Sequence, residues 1–283
     1  MSRLWRDQIQ IFFAPGRIDF VRSSRGLKPV QAPRVTKLCG SHNTNPPPNQ
    51  PIWEQPMRQL EQMLQDAAGA ALTITLSNHF VRYVTLPPQA EITTPDEINV
   101  YAAFRMREIY AERVDAWALS VSAWNPLEGA ICAAMSRDLL EEFEAVAAKY
   151  KVKLQGVEPY FASVYDRWYK TLQSNTQLCF VLVESGRICI ALLDNGIWQS
   201  VRNQHVLHDI KNELFVAIDQ EIILSGNKET PQKIYLFAPE HPELVLPENC
   251  GWHVVSLQTA QIPILPHYPS AIDGQTETNE CVA

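Results

Sequence analysis

The chain has 283 residues and a formal net charge of −7. With 46% hydrophobic and 19% charged residues it has the balance of a globular protein with a core, which excludes a disordered chain. The acidic total gives no support to nucleic acid as a partner. No apolar run reaches the ~20 residues that a membrane-spanning helix needs, so we expect no direct membrane span. The six scattered cysteines favour the reduced thiols of a cytoplasmic protein over a disulfide framework.

The first 87 residues alternate strand-like and helix-like patterns around one proline-rich connection. In chain order we predict strands over 9–14, 17–22 and 28–38, an exposed connection over 45–51, a helix whose apolar face runs from Met57 to Ala67, and strands over 72–76 and 80–86. Pro15-Gly16 is the predicted turn of the first hairpin.

A capping box at Thr94-Pro95-Asp96-Glu97 predicts the start of the next helix, with proline in its first turn. The elements that follow it are a helix to about 111, strands over 116–124 and 129–135, a helix capped by Ser136, a strand over 153–157 and a helix from Pro159. Trp117 and Trp124 alternate with apolar residues in or beside the predicted strand, and either core packing or a role as aromatic anchors for a partner explains them.

The pattern then begins again after a polar stretch over 173–177. Strands are predicted over 178–184, 187–194 and 197–203, with Asp194-Asn195-Gly196 as a hairpin-turn signal between the last two. A helix with Leu207, Ile210, Leu214 and Ile218 on one face follows, and then strands near 233–238 and 252–257. Gly16-Arg17-Ile18 and Gly186-Arg187-Ile188 stand at the same turn of the same hairpin in both parts. We therefore predict two similar halves, residues 1–172 and 173–269, and a disordered tail over 270–283.

This element order resembles that of the actin-like ATPases, and within them the PilM and type II secretion protein L cytoplasmic-domain family. Leu72–Pro87, LTITLSNHFVRYVTLP, carries most of the resemblance, and Val157-Glu158-Pro159-Tyr160 is similar to the family's return into the main domain. The resemblance implies an α/β, actin-like (ribonuclease H-like) duplicated fold, with a small α+β subdomain inserted in the first half at about residues 88–152.

The same resemblance exposes departures at the nucleotide cleft. Active members have an Asp-x-Gly turn in each half, where backbone N–H groups approach phosphates and the aspartates hold Mg²⁺. The corresponding residues here are Pro15, Gly16 and Arg17 in the first half, and Glu184, Ser185 and Gly186 in the second. Ala238-Pro239-Glu240-His241-Pro242 replaces the glycine-rich adenosine loop with bulky residues. We therefore predict a degenerate cleft, no cofactor and no enzymatic activity.

Two C-x-x-H pairs, Cys39 with His42 and Cys250 with His253, are the residues that a zinc site would use. They lie in different predicted halves and no supporting spacing joins them, so we expect no bound metal.

The resemblance implies a non-catalytic scaffold, cytoplasmic and peripheral to the inner membrane, in the assembly platform of a type IV pilus or type II secretion machine. Its implied partners are a PilN-like membrane-anchored subunit, bound through a short peptide, and a secretion or pilus ATPase. Residues expected to line the peptide groove, between the first-half sheet and the insert, are Phe80, Arg82, Tyr101 and Arg105. The alternatives are an active actin-like ATPase or small-molecule kinase with divergent loops, and a filament-forming cytoskeletal protein.

Overall fold

The computed structural model describes residues 6–24, 32–39, 51–172, 177–224, 233–246, 252–257 and 277–279. Its strands are β1 (Gln8–Ala14), β2 (Arg17–Ser23), β3 (Val35–Leu38), β4 (Ala71–Leu76), β5 (Val81–Leu86), β6 (Trp117–Val121), β7 (Ala130–Ser136), β8 (Lys153–Pro159), β9 (Gln177–Glu184), β10 (Arg187–Asp194), β11 (Ile197–His205), β12 (Lys233–Phe237), β13 (His253–Ser256) and β14 (Glu277–Asn279). Its helices are α1 (Glu54–Met63), α2 (Pro95–Tyr110), α3 (Arg137–Lys149), α4 (Tyr160–Leu172) and α5 (Ile210–Leu224), with a 3-10 helix over Ala111–Ala116. Within the described residues, no helix is long and apolar enough to cross a membrane.

Two of the three sheets repeat one strand order. The first runs β14-β3-β2-β1-β4-β8 and the second β11-β10-β9-β12-β13. In both, the second strand pairs antiparallel with the first and third, and the later strands continue in parallel on the other side of the first. This repeat confirms the predicted duplicated α/β architecture.

The duplication extends to single hydrogen bonds at the hairpin turns. In the first sheet the N–H of Cys39 donates to the carbonyl of Gly16 at 2.9 Å, and in the second the N–H of Val206 donates to the carbonyl of Gly186 at 3.0 Å. In both halves, therefore, the residue that follows the third strand bonds the turn glycine.

Strand β14 adds to the outer edge of the first sheet, where it pairs in parallel with β3. The tail predicted to be disordered over 270–283 thus includes a three-residue strand, and its other residues lie outside the described part of the chain.

The third sheet has the order β5-β7-β6, with both pairings antiparallel. Helix α2 begins with the predicted capping box, in which Thr94 Oγ1 accepts from the N–H of Glu97 and Glu97 Oε2 accepts from the N–H of Thr94. The helix packs Ala102 and Met106 against Val84 and Cys132 of the sheet. Strand β5, which precedes the predicted insert boundary at residue 88, belongs to this sheet.

By its internal contacts the chain divides into two compact units. One contains residues 1–80, 137–163 and 263–283, and the other contains residues 81–136 and 164–262. In this division the three-stranded sheet belongs to the same unit as the five-stranded sheet. The predicted boundary between halves at residues 173–177 stays a prediction, and residues 173–176 lie outside the described part.

The first unit is centred on an aromatic cluster. Phe13 of β1 lies edge-on to Phe143 of α3 with ring centroids 4.9 Å apart, and the ring of Phe80 is 5.5 Å away. On the other face of β1, the ring of Phe12 meets Tyr160 at 4.8 Å. Burial of these rings stabilises the hairpin that carries the first turn.

The second unit places its five-stranded sheet between two helices. Leu214 and Ile218 of α5 pack against Ile190 and neighbouring apolar residues on one face. On the other face α4 brings Tyr165 to within 5.7 Å of Phe180. The helix predicted from Pro159 forms as α4. Leu207, predicted on the apolar face of α5, is 73% exposed and precedes the helix, so that part of the prediction is wrong.

Candidate functional site

The first hairpin turn has its charges satisfied by neighbouring side chains. Pro15 has no N–H to offer a ligand, and Arg17 Nε lies 3.3 Å from Asp19 Oδ2 while its guanidinium stacks over the ring of Phe12. Asp19 is fully buried, is ion-paired with Arg34 as well, and accepts a 2.7 Å hydrogen bond from Thr36 Oγ1. The carboxylate nearest this turn is therefore committed to a buried network.

The second hairpin turn is occupied by a carboxylate from its own unit. The N–H of Ser185 donates to Glu240 Oε2 at 2.9 Å. Gly186 has φ +76°, a left-handed conformation that glycine adopts without strain, and its carbonyl accepts from Val206. In an active actin-like ATPase the backbone N–H groups of this turn face a phosphate. Here Glu240 supplies the negative charge.

Sequence reasoning missed the role of Glu240. It predicted that the loop after β12 obstructs the base pocket by bulk, whereas the loop also places a carboxylate on a turn 55 residues earlier. Local patterns carry no information about such a distant contact. The wider cleft prediction, which joins the turns at Pro15 and Ser185, stays a prediction because the two turns belong to different compact units.

Three of the four residues predicted to bind a partner fall in the second unit. Arg82 Nη1 donates to the carbonyl of Val81 at 2.9 Å. The hydroxyl of Tyr101 donates to the carbonyl of Pro87 at 3.3 Å. Arg105 Nη1 forms an ion pair with Glu108 at 2.6 Å.

The residues packed around these side chains determine how much of each side chain is available to a ligand. Because side chains alternate along a strand, Arg82 lies on the same sheet face as Val84, which α2 covers. Tyr101 packs its ring edge-on to Trp124 at 5.9 Å. Phe80, the fourth residue, belongs to the first unit and is 8% exposed, so little of its ring is available to a partner. Contact between these four residues and a peptide remains a prediction.

The two tryptophans of the insert have packing roles. Trp117 lies edge-on to Tyr110 with centroids 5.2 Å apart, and Trp124 Nε1 donates to the carbonyl of Ile92 at 2.9 Å. Both pack against the core of the three-stranded sheet. Of the two explanations, core packing is the one that fits.

The zinc candidates are only partly within the described chain. Cys39 is buried, and His253 is exposed on β13, whereas His42 and Cys250 lie outside the described residues. Among the described residues there is no group of three or more His, Cys, Asp or Glu side chains that could hold a metal ion.

Comparison with known proteins places the fold. No protein-family model matches the chain, and no curated protein matches its sequence. A chain of the PilM-PilN type IV pilus biogenesis complex is similar with a TM-score of 0.61 and 13% identity, over 91% of this chain and 89% of that one. The cytoplasmic domain of EpsL, an inner membrane component of the type II secretion system of Vibrio cholerae, gives a TM-score of 0.55 at 10% identity, over 90% of this chain and 92% of that one.

A protein of unknown function from Bacteroides thetaiotaomicron, described as having an actin-like ATPase fold, gives a TM-score of 0.54 at 6% identity over 90% and 92% of the two chains. These similarities extend over nearly the whole of each chain, and the strand order repeats in two sheets. This chain therefore has the actin-like ATPase fold.

Proposed function

We propose that this protein is a non-catalytic cytoplasmic scaffold in the inner-membrane assembly platform of a type IV pilus or type II secretion machine. In this role it binds a short cytoplasmic segment of a membrane-anchored subunit, and through that subunit it is peripheral to the inner membrane. A secretion or pilus ATPase is a further expected partner.

The observation that best supports this role is the whole-chain similarity to structures from two such platforms. One is a chain of a PilM-PilN complex and the other the cytoplasmic domain of an inner membrane component of type II secretion. Both similarities cover about nine-tenths of each chain. The similarity that supports an assembly role therefore extends over about nine-tenths of the chain.

The condition of both turns supports a non-catalytic role. Pro15 lacks a donor, Asp19 is buried in ion pairs, and the N–H of Ser185 is bound to Glu240. A phosphate at the second turn would have to displace Glu240, and like charges at that position oppose binding. The rival function, an active ATPase or kinase, predicts micromolar affinity for Mg-ATP. Isothermal titration calorimetry with Mg-ATP that showed such affinity would favour the rival.

The proposed peptide contacts are Arg82 on β5 and Tyr101 and Arg105 on α2, with Phe80 as a fourth candidate. An extended peptide gains main-chain hydrogen bonds and buries side chains in pockets, which gives useful affinity from a short segment. Tyr101→Phe removes only the hydroxyl and keeps the packing on Trp124, so it tests the tyrosine without emptying the core. Arg105→Gln removes a charge from a side chain that already pairs with Glu108.

The test is co-purification of the full chain with candidate inner-membrane subunits. Retention of one membrane subunit, weakened by Arg82→Gln, Tyr101→Phe or Arg105→Gln, is the expected result. Arg107→Gln is the matched control, because Arg107 also lies on α2 and pairs with an exposed carboxylate, that of Asp115. If no membrane subunit is retained, the scaffold role is wrong. If all variants bind as the parent does, the peptide site is wrong.

A filament-forming protein is the remaining alternative. Sedimentation at raised protein concentration separates the two, since a filament pellets without any membrane partner. We expect the purified chain to stay in the supernatant.

A further inference from the structure

Helix α2 carries apolar side chains on two opposite sides. Ala102 and Met106 are fully buried against the three-stranded sheet. Val100 and Phe104 lie on the opposite side of the helix and are 71% and 57% exposed. Single exposed apolar residues are ordinary on a protein surface, but residues four positions apart on a helix are neighbours, so these two form one patch.

Charges of opposite sign flank this patch at the two ends of the helix. Glu97 stands three residues before Val100, and Arg107 stands three residues after Phe104. Spacings of three, four and three residues place the four side chains along one stripe of the helix, as at the a and d positions of a coiled coil. We call these four residues the outer seam.

Both charged residues of the outer seam keep atoms available for a further contact. Glu97 Oε2 accepts from the N–H groups of Thr94 at 2.9 Å and Thr93 at 3.0 Å, and these bonds lower the pKa of Glu97, so it is ionised at neutral pH. Its Oε1 accepts no hydrogen bond from the described residues. Arg107 pairs through Nη2 with Asp115 at 2.6 Å, which leaves the other N–H donors of its guanidinium group.

The outer seam is complementary to a copy of itself that runs in the opposite direction. In an antiparallel pair of helices, each a position meets a d position of the other helix. Val100 of one copy then meets Phe104 of the second copy, and Glu97 of one meets Arg107 of the other. A two-fold axis makes each contact occur twice. A parallel pair would set Glu97 against Glu97 and Arg107 against Arg107, so charge favours the antiparallel arrangement.

We propose that the outer seam is the contact of a homodimer in which two copies of the chain pair their α2 helices antiparallel. Charge complementarity identifies the second copy as the occupant. The first turn of α2 contains Asp96 and Glu97 and its last turn contains Arg107, so the same helix reversed supplies the opposite charge at both ends. Antiparallel helices also oppose their dipoles, which is favourable. Because such a contact uses the same surface on both copies, association stops at two chains.

The size of the contact sets the expected affinity. Stable interfaces bury about 1,200–2,000 Å² in total, and a contact of four residues on each side lies below that range. We therefore expect a weak dimer with a Kd on the order of 10–100 µM. The chain is then monomeric in dilute solution, and it pairs where a membrane platform concentrates it.

The first test is sedimentation velocity of the full chain over concentrations from about tenfold below to tenfold above the expected Kd. We expect the sedimentation coefficient to rise and level off at the value of a dimer. Phe104→Ala is expected to raise the Kd about tenfold or more. Ile109→Ala is the matched control, because Ile109 is 60% exposed on the same helix but lies outside the outer seam. A parent that stays monomeric, a parent that grows beyond a dimer, or a Phe104→Ala variant with the parent's Kd overturns the proposal.

The second test exchanges the charges of the outer seam. Arg107→Glu sets a glutamate against Glu97, and Glu97→Lys sets a lysine against Arg107, so each variant alone is expected to be monomeric where the parent is a dimer. Mixed together, they are expected to form heterodimers, because the new lysine meets the new glutamate and the unchanged Glu97 meets the unchanged Arg107. Arg58→Glu is the matched control, since Arg58 is an exposed arginine on α1 that also pairs with a carboxylate, that of Glu54.

Circular dichroism establishes that each variant is folded, because Glu97→Lys also removes part of the capping box. Folded variants that stay monomeric in the mixture would show that the antiparallel register is wrong. An Arg107→Glu variant that dimerises as the parent does overturns the proposal without the mixture. Neither test needs a membrane partner, so the proposed scaffold role and this dimer can fail separately.

Discussion

Replacement of Asp19 by asparagine tests whether the first turn is organised by charge. The Asp19 side chain has no exposed surface and is ion-paired with Arg17 at 3.3 Å and with Arg34. Asparagine keeps the shape and can still accept from Thr36, but it removes the negative charge. Two arginines, with side chains 26% and 16% exposed, then lose their counter-ion. Loss of one partner from a buried charge network costs about 3–5 kcal/mol, a large part of the 5–15 kcal/mol typical of a folded domain.

The assay is urea denaturation followed by tryptophan fluorescence, with Asp7→Asn as the matched control. Asp7 lies beside the same hairpin and pairs with Arg22 at 2.7 Å, but that pair is partly exposed, so its loss is expected to cost under about 1 kcal/mol. The double variant Asp19→Asn with Arg17→Gln is expected to lose less than the sum of the single variants, because they share one interaction. Equal losses for Asp19→Asn and Asp7→Asn would refute the reasoning.

Three further predictions concern the cap, the core and a thiol. Thr94→Ala removes the side-chain hydroxyl that accepts from the N–H of Glu97 in the capping box, so it is expected to lower the free energy of unfolding by about 1 kcal/mol. Thr93→Ala is the control, because Thr93 bonds Glu97 through its backbone N–H only. Chemical denaturation measures both variants. Phe143→Ala empties a fully buried ring position and is expected to cost about 3–5 kcal/mol, whereas Phe104→Ala, at a side chain 57% exposed, stays within about 0.5 kcal/mol in the same assay. Burial raises the pKa of Cys132 from 9.0 to about 12, so alkylation at pH 8 followed by mass spectrometry is expected to leave it unmodified in the folded protein and modified in denaturant. Because the folded thiol stays protonated while the unfolded thiol ionises, this group also lowers stability as pH rises from 9 to about 12.

The features that the sequence predicts well are local. The turn at Asp194-Asn195-Gly196 requires left-handed backbone, and the structure has φ +50° at Asn195 and +82° at Gly196. The capping box needs only residues three apart, and it forms as expected. The fold class could be predicted because short local patterns, taken in chain order, give the same series of strands and helices twice.

The features that it misses depend on contacts between distant residues. The alternation in β5 predicts a half-buried strand, but its pairing with β7 depends on a register between residues about fifty positions apart. Leu207 fits the helical period of α5, yet the helix begins at Ile210, because the carboxylate of Asp209 accepts from the N–H of Asn212 at 3.3 Å.

The two turns of the duplicated hairpin are each organised by a carboxylate of the chain itself. In the first half, Asp19 gives Arg17 an internal counter-ion. In the second half the turn amide of Ser185 has an internal carboxylate, that of Glu240. An anion that the chain itself holds at the N–H of Ser185 opposes the binding of a phosphate there, because like charges repel.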